Sequence, residues 1–379
     1  MRLGFDGKRA FHNTTGLGNY ARDVLRILAA HAPGHELVAY NPSRGRVPFS
    51  IPGGLREERP RRAARLWPGL WRQVGIAADL ARDGIEVFHG LSGELPLGLG
   101  HAGVAGVVTI HDLIFERFPQ WYGAADRRIY RWKARRAVEA ARVVVAISEQ
   151  TAGDLGSFYS VPRARIRVVY QGCQAVFRRP QPRDRLEAVA ARLGLTPGFV
   201  LQVGTIEPRK NLLLTARAVA TLPGVRLVAV GRRTRYAAEV EAYAREVGAA
   251  DRLRLLQGVG AEDLAALYQL AAAAVYPSRF EGFGIPIVEA RASGTPVVTT
   301  RGGVFPEAGG PGSAYVDPDD PEALREALRA ILADPDRQAA MRAAGLVYAR
   351  RFSDEAIAAG LLAVYAEARD GASAAARAG

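Results

Sequence analysis

Short apolar runs alternate with stretches of helical periodicity along the whole chain of 379 residues. In the first half, the runs typical of buried strands are Arg2–Asp6, Glu36–Tyr40, Glu86–His89, Val104–His111, Val143–Ile147 and Ile166–Tyr170. In the second half they are Phe199–Val203, Arg226–Val230, Arg252–Leu256, Ala273–Tyr276, Pro296–Thr300 and Ser313–Val316. Strands that alternate with helices favour parallel sheets with right-handed crossovers, so each set of six predicts one doubly wound sheet.

A chain of this length suits two α/β domains. We expect an N-terminal domain over residues 1–172 and a C-terminal domain over residues 173–350. The Arg- and Pro-rich stretch Gln171–Gly198 predicts a linker with a short helix, and residues 173–198 are counted with the second domain. The last segment, 351–379, has helical periodicity from Phe352 to about residue 369, with Ser353 as N-cap, and a frayed tail over Gly371–Gly379.

The formal net charge of +13 raises the question of an anionic partner. The arginines are spread along the chain and no nucleic-acid-binding motif accompanies them, so we expect no nucleic-acid partner. A solvated basic surface and attraction to an anionic substrate or membrane surface remain. The single cysteine, Cys173, excludes an internal disulfide, and no apolar run reaches the roughly 18 residues of a membrane span. With no apolar signal-peptide region at the N-terminus, we expect a cytoplasmic protein.

A glycine-rich loop near the N-terminus fits a permissive dinucleotide fingerprint. Gly16–Ala21 matches G-x-G-x-x-A, but about nine residues separate it from the first strand. The second strand ends in Tyr40 and Asn41 rather than in the acid that holds a ribose. The pattern therefore argues against a dehydrogenase and leaves a loop whose amides can approach an anion.

The stretch Val275–Ala290 combines a strand, a glycine-rich loop and a helix. Pro286 is well placed as the first helical residue. The loop emerges at the carboxyl end of a parallel strand, where open α/β sheets bind ligands. Amides of Gly282–Gly284 and the helix N-terminus can meet a phosphate, and Glu281 and Glu289 suit a polyhydroxy ligand. A capped helix with an acid favoured by the dipole would explain Glu289 but not the whole loop.

A second loop, Gly204–Asn211, follows the first strand of the second domain. Pro208 predicts a helix start, so Arg209 and Lys210 fall in or just before its first turn. Cations there oppose the helix dipole at a cost of roughly 0.3–1 kcal/mol each. Departures from a local rule are typical of functional sites, and a bound diphosphate would supply the missing negative charge. The alternative is two solvated side chains.

These two loops resemble the retaining glycosyltransferase family 4, and specifically its bacterial mannosyltransferase-type branch. Residues 204–211 read Gly-x-x-Glu-Pro-Arg-Lys-Asn, and residues 280–290 read Phe-Glu-Gly-Phe-Gly-x-Pro-x-x-Glu-Ala. Further segments similar to the family are Thr15–Tyr20, Val108–Leu113, Val145–Ser148 and Gln257–Val259. The resemblance covers nearly the whole chain. It implies the GT-B fold: two Rossmann-like domains that face a central cleft, with the C-terminal helix packing back toward the first domain.

The resemblance also implies residue roles. Lys210 would bind the donor diphosphate, Glu289 the ribose, and Glu281 the donor sugar near the reacting carbon. The family has an arginine directly after the glycine, where this chain has Thr205, so Arg209 would supply that charge.

In the first domain, His111 would contact the donor sugar near its C6 hydroxyl, and Gly16 and Gly18 would approach the phosphates. The implied catalytic set is His111, Glu281, Arg209 and Lys210. The implied donor-binding set is Gly16, Gly18, Arg209, Lys210, Val259, Gly282, Phe283, Gly284 and Glu289.

The implied reaction is a retaining transfer of a hexose, with mannose favoured. The donor would be GDP-mannose or a UDP-hexose, and the acceptor a glycan or a lipid-linked molecule. We expect no cofactor and no metal, because Arg209, Lys210 and backbone amides can stabilise the leaving diphosphate. Asp317–Asp320 precedes the helical run Pro321–Leu324 and predicts a turn with an N-cap rather than a metal site.

The stretch Arg61–Arg72 mixes arginines with Trp67 and Trp71. This composition suits a membrane interface, such as the inner face of the cell membrane, or the acceptor side of the cleft. The alternative is a helix that packs Trp71 inside the N-terminal domain. Two other functions stay open: a sugar-nucleotide epimerase or hydrolase of the same fold, and a basic, non-enzymatic binding protein.

Overall fold

The computed structural model describes residues 1–378, except the side chains of residues 62, 63 and 372–378. These residues form two compact units. The first contains Met1–Gln171 and the C-terminal helix that begins at Asp354, and the second is Gly172–Ser353.

The first unit is built on a seven-stranded parallel sheet with the order β3-β2-β1-β4-β5-β6-β7. Its strands are β1 Arg2–Asp6, β2 Glu36–Tyr40, β3 Leu55–Glu58, β4 Val87–Gly90, β5 Ala105–Ile110, β6 Val143–Ala146 and β7 Ile166–Val168. All six predicted strands are confirmed, with ends that differ by at most two residues. The prediction of six strands was wrong, because it missed β3 at the edge of the sheet. Only Leu55 of its Leu-Arg-Glu-Glu sequence is buried, so the strand carries almost no apolar pattern.

The second unit is built on a six-stranded parallel sheet with the order β10-β9-β8-β11-β12-β13. Its strands are β8 Val200–Val203, β9 Leu227–Val230, β10 Leu253–Leu256, β11 Ala273–Tyr276, β12 Val297–Thr300 and β13 Ala314–Val316. All six were predicted. Buried strands of a parallel sheet are apolar on both faces, which makes them readable as continuous runs.

Helices cover the faces of both sheets. In the first unit they are α1 Lys8–His12, α2 Gly16–His31, α3 Pro68–Leu70, α4 Ile76–Arg82, α5 Ile114–Arg117, α6 Ala124–Ala140 and α7 Glu149–Tyr159. The next eight are α8 Arg183–Leu193, α9 Leu212–Ala220, α10 Tyr236–Glu246, α11 Ala261–Leu270, α12 Ile285–Ala292, α13 Phe305–Gly309, α14 Pro321–Leu332 and α15 Pro335–Ala349. The last is α16 Asp354–Ala378. Short 3₁₀ turns include Arg62–Leu66, Ala175–Arg178 and Pro208–Lys210, and Trp71–Gly75 forms one π-helical turn.

The C-terminal helix α16 packs within the first unit against α2, β4, β5 and β6. Leu361 and Tyr365 are fully buried in the core that surrounds Phe5 of β1. The Tyr365 hydroxyl lies 2.8 Å from His89 Nδ1, so the helix is joined to the sheet by a buried hydrogen bond as well. The backbone of α16 is helical up to Ala378, and Gly379 lies outside the described residues; the fraying expected from Gly371 stays a prediction.

The strand order reverses at one point in each sheet. In the first unit, β2 lies on one side of β1 and β4 on the other; in the second unit, β9 and β11 flank β8 in the same way. The loops that leave two such neighbouring strands diverge to opposite faces and open a crevice at their carboxyl ends, where doubly wound proteins bind ligands. Each unit therefore has one position at which the topology favours a binding site.

Candidate active site

In the second unit, the reversal point brings together the two loops that the sequence singles out. The first loop leaves β8 and ends at Asn211, and the second leaves β11 and ends at Gly284. The Arg279 amide donates to the Arg209 carbonyl at 2.9 Å, which ties one loop to the other. Residues that are about 70 positions apart in the sequence thus share one site.

Asn211 fixes the end of the first loop. Pro208–Lys210 forms a 3₁₀ turn, and α9 begins only at Leu212, so both cations lie just before the helix. Asn211 itself is left-handed, with φ of 58°, a conformation that is uncommon outside glycine but that asparagine adopts more readily than most residues. Its buried Nδ2 donates to the Pro318 carbonyl at 2.6 Å. This hydrogen bond helps to fix the backbone from which the Lys210 side chain extends.

The side chains of Arg209, Lys210 and Glu281 form a mostly buried ion cluster. Glu281 Oε1 lies 2.5 Å from Lys210 Nζ and 2.7 Å from Arg209 Nη1. A second carboxylate, Glu207, lies 2.8 Å from Arg209 Nη2. The Lys210 and Glu281 side chains are only 13% and 12% exposed, so water screens their attraction weakly. Burial alone would raise the pKa of Glu281, but the charges of Lys210 and Arg209 keep it below its usual value.

These contacts correct one sequence-based interpretation. The sequence predicts that a bound diphosphate balances the positive charge of Arg209 and Lys210. In the structure, Glu281 and Glu207 supply that negative charge. The two cations are therefore neither solvated side chains nor uncompensated ones. A phosphate group that binds them has to compete with Glu281.

Two further residues of this cluster were missed in the sequence. The Tyr276 hydroxyl lies 2.5 Å from Lys210 Nζ, and the Ser278 hydroxyl lies 2.6 Å from Glu281 Oε1. Burial, and then the Glu281 charge, raise the pKa of Tyr276 well above its usual value, so Tyr276 stays neutral. A polar residue at the last position of a buried strand is the signal that could have identified Tyr276.

Glu289 lies in the second turn of α12, close to the buried hydroxyl of Tyr268. That hydroxyl lies 3.0 Å from Glu289 Oε2 and 3.2 Å from the Pro286 carbonyl. Burial, and then the Glu289 charge, raise the pKa of Tyr268 well above its usual value. A neutral phenol is a hydrogen-bond donor, and it holds the Glu289 carboxylate in place without neutralising it.

The remaining donor-binding candidates of the second unit occupy two loops. Gly284 has φ of 117° and begins the turn into α12, so it is a glycine for backbone reasons. Phe283 is 3% exposed and packs edge-on against Phe352. Gly282 lies between these features and Glu281, and Val259 lies in the loop that joins β10 to α11.

In the first unit, His111 directly follows β5 and both of its ring nitrogens are engaged. Nε2 lies 2.9 Å from the Leu91 carbonyl and must carry the proton, whereas Nδ1 lies 3.0 Å from the Gln171 amide nitrogen and accepts. Tyr20 stacks edge-on against the ring at 4.6 Å. Burial lowers the pKa of His111 to about 4, so the ring is neutral at pH 7.

Gly16 and Gly18 differ in what surrounds them. A Cβ on Gly18 would lie 1.9 Å from the Asn13 carbonyl oxygen, and the Gly18 amide already donates to Thr15. Gly18 is thus required by close packing of the chain. Around Gly16, the first residue of α2, a Cβ would meet no atom within 4 Å, so its surface is open. Tyr20, one turn further along α2, places this helix start near His111.

The structure also bears on the predictions for residues 61–72 and for Asp317–Asp320. In the stretch 61–72, Trp71 is 4% exposed and donates from Nε1 to Asp79 at 2.7 Å, whereas Trp67 is 69% exposed. Trp71 therefore packs inside the first unit, as the alternative interpretation predicts, whereas the membrane or acceptor role of this stretch stays a prediction; the side chains of residues 62 and 63 lie outside the described residues. Asp320 accepts from the Ala323 amide at 2.9 Å and caps α14, as predicted.

A comparison with solved structures identifies the class of the fold. The structure of HepE from Anabaena in complex with UDP superposes with a TM-score of 0.74 at 17% identity, over 97% of this chain and 99% of that one. Together with the two Rossmann-like units described above, this similarity defines a GT-B glycosyltransferase fold.

Comparisons of sequence identify the family. The model for glycosyltransferase family 4 matches residues 14–175, and the model for group 1 glycosyl transferases matches residues 187–347. O-antigen chain mannosyltransferase B of Escherichia coli is 30% identical over 71% of this chain and 71% of its own length. A D-inositol 3-phosphate glycosyltransferase of Salinispora tropica is 33% identical over 83% of this chain and 70% of its own length. The chain belongs to glycosyltransferase family 4 and is a glycosyltransferase. Within the described part of the chain, no helix has both the length and the apolar character needed to cross a bilayer.

Proposed function

We propose that this glycosyltransferase transfers a hexose, with mannose favoured, from a nucleoside diphosphate sugar to a glycan or lipid-linked acceptor, with retention of configuration. The observation that carries the proposal is the cluster of Arg209, Lys210 and Glu281 at the reversal point of the second sheet. Two cationic side chains beside one carboxylate suit a ligand that has a diphosphate next to a sugar. A mannosyltransferase among the relatives favours mannose, and the UDP bound to HepE favours a nucleoside diphosphate.

In the proposed complex, the donor diphosphate takes the place of Glu281 beside Lys210 and Arg209. The bond between the anomeric carbon and the diphosphate oxygen breaks, and its electron pair moves onto the diphosphate. Both cations then stabilise the charge that develops on the leaving group, which is the largest single contribution in many enzymes. A diphosphate oxygen takes the proton of the acceptor hydroxyl as the new glycosidic bond forms on the same face.

The other candidates have supporting roles in this proposal. Glu289, held by Tyr268, accepts hydrogen bonds from the ribose hydroxyls. Glu281, once released from the two cations, turns to hydroxyls of the donor sugar. The roles expected of Gly16 and His111, which both lie in the first unit, stay predictions.

The test is donor binding and transfer by single variants. With GDP-mannose and UDP-hexoses as candidate donors, Lys210→Ala and Glu289→Ala should each weaken the donor affinity at least tenfold in calorimetry, while circular dichroism stays unchanged. Transfer should persist in excess EDTA, because the two cations meet the diphosphate charge. Unchanged affinity in both variants, or transfer that requires Mg²⁺ or Mn²⁺, would overturn the assignment.

The alternative of a hydrolase or epimerase is separated in the same assay. Those activities release free sugar or a new sugar nucleotide when no acceptor is present.

A further inference from the structure

The first unit contains a cavity of about 730 Å³ that the residue assignments above leave without a ligand. Lys8 follows β1, Pro42 follows β2, and Glu94 follows β4, and all three line the cavity. The cavity therefore opens at the carboxyl ends of these strands, beside the point between β1 and β4 where the strand order reverses. This is the position where the topology of the first sheet favours a ligand.

Five cations line this cavity, and two of them are neutralised by the protein. The buried guanidinium of Arg72 lies 2.5 Å from Glu94 Oε2 and also pairs with Asp6. Lys133 Nζ lies 3.2 Å from Glu94 Oε1. Burial opposes the ionised form of Glu94, but Arg72 and Lys133 lower its pKa to about 2, so the carboxylate stays charged. The two positive charges of Arg72 and Lys133 are therefore balanced by the carboxylates of Asp6 and Glu94.

The other three cations, Lys8, Arg46 and Arg136, lack such partners. Among the side chains that the structure describes, no carboxylate lies within 4.0 Å of any of them. Arg136 is nevertheless held in place, since it donates to the Gln73 side chain at 2.8 Å and lies over the Trp132 ring at 4.9 Å. Burial, and then the nearby Arg72 charge, lower the pKa of Lys8. Its ammonium group is thus held at an electrostatic cost that an anion would remove.

We propose that this cavity binds a phosphate group of the acceptor, through Lys8, Arg46 and Arg136. The inference rests on the proposed function, which it extends by naming the class of acceptor. Three cations match the two negative charges and three free oxygens of a phosphate monoester better than the single charge of a carboxylate. Exposed Trp132 and half-buried Pro68, which also line the cavity, offer an apolar surface to the part of the acceptor that carries the phosphate.

The test is a calorimetric titration of the full-length protein with inorganic pyrophosphate. A Lys210→Met background weakens the proposed donor site, so the remaining binding reports on the cavity. In that background, Lys8→Met and Arg46→Gln should each raise the Kd on the order of tenfold, as expected for the loss of one charge-assisted contact. In the otherwise wild-type chain, the titration should show two sites, which keeps the test valid should Lys210→Met fail to fold.

The matched control is Arg226→Gln, which removes one positive charge from an exposed residue just before β9, at the amino end of the second sheet. It should leave the Kd unchanged. Equal weakening by Arg226→Gln, no effect of Lys8→Met, or tighter binding of glucuronate than of phosphate would overturn the proposal.

Two further probes distinguish the source of the phosphate. Glycerol 3-phosphate represents a soluble acceptor, and phosphatidylcholine vesicles that contain phosphatidate represent a lipid-borne one. Binding of either probe supports the proposal only if Lys8→Met weakens that binding. Phosphate binding at the cavity without any sugar transfer would overturn the proposed function and leave the anion site in place.

Discussion

Glu281 is the residue on which the charge state of the second-unit site depends. Its carboxylate contacts two cations at 2.7 Å or less, and all three side chains are mostly buried. Removing one partner of a buried ion pair leaves the other charges without compensation, which costs more than the pair contributes. A ligand that carries negative charge into this position would compensate the charges of Arg209 and Lys210 in place of Glu281.

We therefore predict that Glu281→Gln lowers the free energy of unfolding by about 1–3 kcal/mol, because the hydrogen bonds to charged groups lose one ionised partner. GDP or UDP should stabilise the variant more than the wild type, since the diphosphate replaces the missing charge and no longer competes with a carboxylate. Sugar transfer should fall. Thermal melts with and without nucleotide measure the difference.

The comparison for this prediction is Glu241→Gln, which removes one carboxylate from a more exposed pair with Arg233 in the same unit. Its melting temperature should respond to nucleotide as the wild type does. If nucleotide stabilises Glu281→Gln no more than Glu241→Gln, the diphosphate does not bind where Glu281 now lies.

At the level of elements, the loop after β8 is supported by the start of the loop after β9. Gly231 follows β9, and a Cβ at this position would lie 1.9 Å from the Gly204 carbonyl oxygen. Gly204 in turn has φ of 139° and lies beside the Lys210 side chain. Neighbouring parallel strands thus determine the course of the loop that carries both cations.

Gly231→Ala should accordingly displace this loop while both sheets stay intact. The backbone at Gly204 must move by more than an ångström, so we expect the affinity for the donor nucleotide to fall at least tenfold, because site geometry tolerates little displacement. Calorimetry measures the nucleotide affinity, and circular dichroism checks that both sheets stay intact. Gly153→Ala is the control, because a Cβ there meets no atom within 4 Å; a Gly231→Ala variant that binds nucleotide equally well would show that the loop adapts.

The sequence predicts elements better than it predicts contacts. Buried strands such as β6 and β9 are continuous apolar runs, whereas the edge strand β3 has one buried residue and was missed. The two cation- and acid-bearing loops were placed correctly next to their strands. The contact between Lys210 and Glu281 was not predicted, because it depends on two loop conformations separated by 71 residues.

The same limit explains why the basic cavity of the first unit was missed. Lys8, Arg46 and Arg136 lie in three distant segments, and no local pattern distinguishes them from the other arginines of a chain with net charge +13. Their common feature is a position around one cavity with no described carboxylate within 4.0 Å of their charged groups, and only the tertiary structure shows that.

At the level of the whole molecule, the first strand and the last helix of the chain share one hydrophobic core. The chain leaves the first unit at Gln171 and returns to it at Asp354, so the last helix completes the core that the first strand begins. A separate core, which includes Val200 and Leu328, lies in the second unit. Units with their own cores are able to unfold as separate cooperative transitions.

Two leucines of equal burial test this organisation. Leu361 of α16 and Leu328 of α14 are both 0% exposed, one in each core. Replacing either with alanine should cost about 2–5 kcal/mol through lost apolar burial and a cavity. We predict that Leu361→Ala lowers the midpoint of one calorimetric transition and Leu328→Ala that of another. The donor nucleotide should raise the second midpoint more than the first, because most of the proposed diphosphate and ribose contacts lie in the second unit. A single transition that both variants shift equally would show that the two cores unfold as one cooperative unit.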